Sequence, residues 1–180
     1  MPKPLSHWHY PTTMTTPAII QLQQYAIDQQ HNVPELLRKA LLVATKLKLL
    51  DFKAWLFSEI HGYEKNNLSL PEYRIIPCEL QAIDPHRGRY PYFLFKDTPE
   101  MVELDEECHK IYVHDPIRFL LEMTPPSGGI IINLPPDIEN FLMSIQKGGM
   151  PLRPVRVVKP QLIIGIIDAV RKRVLDWVLA

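Results

Sequence analysis

The periodicity of apolar positions changes twice along the chain. Leu37, Leu41, Ala44 and Leu47 recur at spacings of three and four, with Leu36, Ala40 and Val43 beside them and Arg38, Lys39, Lys46 and Lys48 on the polar side. That period predicts an amphipathic helix opened by Asn32-Val-Pro34. Phe52, Trp55, Leu56 and Ile60 predict a second helix, with Asp51 as N-cap and Gly62 as its stop, and the short link predicts an antiparallel helix hairpin. Upstream, Thr16-Pro17 starts a helix over about 17–30 whose expected apolar stripe is Ile19, Ile20, Leu22 and Ile27.

From Tyr73 the pattern turns aromatic and β-branched. Tyr73–Asp84 and Arg89–Phe95, separated by Pro85-His-Arg-Gly88, predict a β-hairpin. Asp97-Thr-Pro-Glu100 caps a short acidic helix over about 98–107, whose Glu103, Asp105, Glu106 and Glu107 are expected on its wet face. Ile111–Val113 predicts a brief strand, and Asp115-Pro116 caps a helix carrying Ile117, Phe119, Leu120 and Leu121. Thr124–Gly129 reads as a loop and Ile130–Asn133 as a buried strand. Pro135-Pro-Asp137 opens a helix with Ile138, Phe141, Leu142 and Ile145 inward, and Val155–Val158 predicts a final strand. The last helix starts at Lys159-Pro160 and runs to the end, with Ile163, Ile166, Ile167, Val170, Val174 and Val178 on one seam. The expected fold is α+β: N-terminal helices with a helix hairpin, a small, mostly antiparallel sheet with short helices, and a long C-terminal helix. Residues 1–15 read as a tail and 16–180 as one domain. The helix has neither a capping glycine nor a following proline at its end, so a further domain is expected beyond it.

Composition narrows the function classes. Twenty Lys and Arg balance twenty Asp and Glu, so the overall basic excess of a nucleic-acid binder is missing, although a local basic face stays open. Eighteen prolines against seven glycines favour short elements with rigid connections. The two cysteines, Cys78 and Cys108, are expected as buried free thiols, with one disulfide as the alternative. The N-terminus lacks the apolar core of a signal peptide, and the longest apolar run, Leu162–Ile167, is too short to span a bilayer; the expected location is the cytoplasm.

No segment carries a recognisable catalytic motif. Glu59 and His61 stand two apart on a helix and face different ways, unlike a zinc-binding helix with histidines four apart. Glu59, Tyr63, Tyr73 and Arg74 are expected to form a polar cluster at the helix–strand junction, either a buried salt bridge that fixes the loop or a contact for a ligand or partner. His86, Arg87 and Arg89 make a small basic knot at the hairpin tip that is either a solvated turn or a phosphate contact. A carboxylate metal site near His109 and His114 has no defined spacing to support it, and Ser127-Gly-Gly129 is too short for a phosphate loop.

Val33-Pro-Glu-Leu-Leu-Arg-Lys-Ala-Leu-Leu-Val-Ala44, Trp55, Glu59-Ile-His-Gly-Tyr63 and Leu70-Pro-Glu-Tyr-Arg74, together with Ile167-Asp-Ala-Val-Arg-Lys-Arg-Val-Leu-Asp-Trp177, resemble the AbiTii domain family. These blocks lie at opposite ends of the chain, so the resemblance covers nearly all of it. His61 departs from the pattern, where a small polar residue such as Asn is expected. The resemblance implies an N-terminal domain of bacterial phage-defence proteins and assigns no catalytic residue. The expected function is a non-catalytic sensing, binding or oligomerisation module of an abortive-infection protein. The alternative is a nucleic-acid-cleaving toxin using Glu59, His61, Arg74, His86 and Arg87. Expected partners are further copies of the chain or another part of a defence system, with a phage-derived or nucleotide trigger; no cofactor and no metal are expected.

Overall fold

A computed structural model describes residues 17–28, 32–65, 70–123, 129–147 and 149–179. The N-terminal tail and most of the Thr124–Gly129 loop therefore lie outside the described residues. The fold is mixed α+β, as the alternating periodicities predict, and the chain divides into two compact units.

The first unit comprises 1–73, 114–124 and 163–180, and its described elements are helical. They are α1 (Pro17–Ile27), α2 (Val33–Lys46), α3 (Leu50–His61), α5 (Ile117–Glu122) and most of α7 (Pro160–Leu179). Asn32 caps α2 as expected, its side chain accepting from the Glu35 N–H. The predicted seam of α7 is buried at Ile163, Ile166, Val170, Val174 and Val178. Phe52 of α3 stacks on Trp177 of α7 with ring centroids 4.3 Å apart.

Three local expectations fail here. Asp51 is not the N-cap of α3: the helix starts at Leu50, and no side chain caps it. Lys48 adopts φ 56°, which reverses the chain early enough for the Leu49 carbonyl to accept the Lys53 N–H at 2.9 Å. Asp51 thus falls within the first turn, where a carboxylate favours the helix dipole. On α1 the buried residues are Leu22 and Ala26, while Ile20 and Ile27 are exposed, because only one narrow stripe of the helix is covered. α5 begins after Pro116 without a side-chain cap from Asp115.

The second unit comprises 74–113 and 125–162. β1 (Ile75–Pro77) pairs antiparallel with β4 (Lys110–Tyr112). A four-stranded antiparallel sheet has the order β3-β2-β6-β5, from β2 (Glu79–Asp84), β3 (Gly88–Pro91), β5 (Ile130–Asn133) and β6 (Arg153–Val158). α4 (Pro99–Cys108) and α6 (Pro136–Ser144) cover it around a core of Leu80, Leu94, Cys108, Leu134 and Leu142. Thr98 caps α4 through its hydroxyl, as its sequence position predicts.

The long strand expected from Tyr73 to Asp84 is broken. Glu72–Arg74 forms a 3₁₀ turn, and β1 and β2 are separate because the chain changes partner at Cys78: its N–H still bonds the His109 carbonyl at 2.9 Å, in register with the β1–β4 ladder, whereas Glu79 pairs with Val157 of β6. β3 likewise ends at Pro91 and not at Phe95. The Tyr92 N–H donates to the Leu80 carbonyl. Antiparallel alternation then turns the backbone groups of Pro91 outward, so the missing N–H falls on the open side of an edge strand. β5 is the other edge, half-covered instead of buried, with Ile131 exposed. In α6 only Leu142 is buried; Phe141 and Ile145 are exposed. Among the described residues no helix is long and apolar enough to cross a membrane.

Candidate functional site

In the helical unit, the last turn of α3 carries Glu59, which is fully buried. A buried carboxylate requires donors, and two phenols supply them. Tyr63 and Tyr73 each donate to Glu59 Oε1 at 2.6 Å, and Trp55 Nε1–H donates to the Tyr73 oxygen at 2.8 Å. These short bonds to an ionised acceptor are the strong kind. Burial, followed by the Glu59 charge and its hydrogen bond, pushes the Tyr73 phenol well above its ordinary pKa. Gly62, directly after α3, sits at φ 92° and ψ 167°, a region only glycine occupies readily. A Cβ there would lie 2.9 Å from the His114 carbonyl oxygen and 3.1 Å from Pro116 Cδ. The expected cluster thus forms around Glu59, Tyr63 and Tyr73 as a closed structural knot. His61 is exposed; its Nδ1–H donates to the Phe57 carbonyl at 2.9 Å, and its ring stacks on Phe57.

The remaining expected residues belong to the sheet unit. Arg74 is fully buried, and its guanidinium donates to the Val113 carbonyl at 3.0 Å. His86 and Arg87 are exposed at the β2–β3 turn. Their backbone N–H groups both donate to Asp84 Oδ1, at 2.8 and 3.1 Å, and hold that carboxyl below its usual range. The turn is therefore ordered by its backbone, and the His86 and Arg87 side chains are presented to solvent.

Two features escape the sequence reading. Asp105 turns inward instead of onto the wet face of α4. Its carboxylate meets Lys96 Nζ at 2.6 Å and His109 Nδ1 at 3.5 Å, and the His109 Nδ1–H donates to the Asp105 carbonyl at 2.7 Å. The i, i+4 relation of Asp105 and His109 was the available signal. Asp105 and His109 border two small cavities of about 400 and 440 Å³. Among the described residues no cluster of His, Cys, Asp or Glu is placed to hold a metal ion. Cys78 and Cys108 are free buried thiols; Cys78 Sγ donates to the Cys108 carbonyl at 3.3 Å, and burial pushes both thiols up to about 11.

The larger feature is a groove of about 930 Å³ between the end of β3, the start of α4 and the segment after α6. Tyr90, Tyr92, Phe93, Phe95, Met101 and Met150 supply most of its apolar wall. Its shape is held by local bonds. Tyr92 Oη donates to the Leu142 carbonyl at 2.8 Å, and the Gln146 amide both donates to and accepts from the Leu152 backbone at 2.7 Å. Burial raises the Tyr92 pKa. Phe93, Phe95 and Met150 stay 83%, 87% and 84% exposed, so the rim is apolar and open to solvent. The run Tyr90-Pro-Tyr-Phe-Leu-Phe95 was the sequence signal, masked by its reading as a strand.

Compared with known proteins, the chain matches the family model described as AbiTii over residues 18–180. No curated protein and no solved structure matches significantly.

Proposed function

The chain belongs to the AbiTii family of abortive-infection domains, and from that premise we propose that it is a non-catalytic sensing, binding or oligomerisation module of an antiphage defence protein. The groove beside β3 carries this reading. Its size falls in the range of binding clefts, its wall is mainly aromatic and aliphatic, and its rim leaves large apolar side chains in water. Water-exposed phenylalanine has no folding benefit, so the exposure is best accounted for by an occupant. Glu59, the carboxylate that a hydrolytic reading would use first, is buried with its charge already shared between two phenols. On this reading the toxic output rests with another domain or protein of the defence system.

Expression of the 180-residue chain in a bacterium tests the proposal. The expected result is normal growth. Growth arrest relieved by His61→Ala combined with His86→Ala would replace it with the nuclease reading.

A further inference from the structure

We infer that the groove beside β3 is a self-complementary interface whose occupant is a second copy of this chain. The inference rests on the module reading and names the partner of that same surface. The surface offers both halves of a contact. Phe93, Phe95 and Met150 project from it, and the groove of about 930 Å³ lies beside them. Under two-fold symmetry the projecting residues of one copy enter the groove of the other, and the reverse contact forms at the same time.

The charges fit the same operation. Asp97 and Lys147 are the two formal charges lining the groove, one of each sign. Both are exposed, and neither is engaged in an ion pair among the described residues. A two-fold contact can place Asp97 of each copy against Lys147 of the other, whereas a polyanion would meet a wall of zero net charge. The chain as a whole is also balanced, twenty against twenty, so two copies approach without long-range repulsion.

The area is adequate. Two phenylalanines from each copy, burying roughly 150–250 Å² apiece, supply about 600–1,000 Å² of the roughly 1,200–2,000 Å² in a stable specific interface. Tyr90, Ile145 and Met150 add to it from both sides. Strand addition is a poorer use of this region, since Pro91 removes an outward donor from the edge.

Sedimentation velocity across a concentration series tests the inference. The wild-type chain should sediment at twice its monomer mass. Phe93→Asp with Phe95→Asp should give a monomer with unchanged circular dichroism, because both side chains are exposed. Asp97→Lys alone should weaken association by about ten-fold or more through like charges. Adding Lys147→Asp should restore association, a recovery that neither misfolding nor general stickiness produces. A wild-type monomer at every concentration would overturn the interface, as would a dimer indifferent to the phenylalanine changes or a single-stranded oligonucleotide or peptide captured through Phe93 by a monomer. Those outcomes leave the module reading in place. Growth arrest relieved by the histidine substitutions would remove the module reading whatever the mass.

Discussion

Tyr73 Oη lies 2.6 Å from Glu59 Oε1, and the same carboxylate oxygen accepts from Tyr63. One buried acceptor thereby ties the end of α3 to the segments on either side of the 66–69 stretch. Glu59→Leu removes the acceptor that both phenols share. The expected loss is about 1–3 kcal/mol for each charge-assisted hydrogen bond removed, read as a lower midpoint in urea denaturation. Tyr73→Phe removes one bond and should cost less. Equal losses for the two variants would show that Tyr63 adds nothing.

Gly62 occupies a backbone region that other residues avoid, with the His114 carbonyl and the Pro116 ring where a Cβ would go. Gly62→Ala should lower stability by about 1–3 kcal/mol from backbone strain, with steric displacement added to that. Gly88 also has positive φ, but no atom lies within 4 Å of its added Cβ. Gly88→Ala should therefore be the milder change in the same thermal-melt comparison.

Asp105 is a buried carboxylate whose nearest cation is Lys96. Lys96→Met keeps the apolar stem and removes the charge, leaving the carboxylate to the more distant His109. Stability should fall by about 1–3 kcal/mol, and adding Asp105→Asn should recover part of it. Chemical denaturation of the two variants reads the difference. No recovery in the double variant would mean that the pair is held for its shape and not its charge.

The two buried thiols are held protonated, with pKa values pushed up to about 11 from 9.0. Between those values the folded state binds more protons than the unfolded chain. Their stabilising contribution is complete below pH 9 and falls as pH rises toward 11. Cys78→Ser with Cys108→Ala should flatten that part of the stability profile. In the native wild type both thiols should react slowly with an aromatic disulfide reagent at pH 8, speeding up only on unfolding.

Much of the architecture was readable because its determinants are local. Asn32 and Thr98 announce their helices through capping chemistry, and α7 repeats its apolar seam over twenty residues. The errors arise where a distant segment decides. Asp105 sits in an acidic run that reads as solvated, yet Lys96 draws it inward. Cys78 looks like strand interior, but there the chain passes from pairing with β4 to pairing with β6. Tyr92–Phe95 has every β-forming side chain, but its backbone leaves β2 after Tyr92 and becomes the wall of a groove. For the candidate residues, sequence alone grouped Glu59, Tyr63 and Tyr73, but it did not include Trp55, whose indole N–H donates to Tyr73. It could not tell a closed knot from an open site, because that depends on burial.

Pro91 on the open side of β3 has a consequence for assembly size. A strand laid along that edge would find no amide proton at the last residue of β3, so this edge is a poor template for side-by-side growth. Copies that meet through the adjoining groove instead satisfy each other's projections and hollows in one step. On the proposed two-fold contact the particle would be a closed pair, and a defence component built this way would respond to its own concentration without polymerising into fibres.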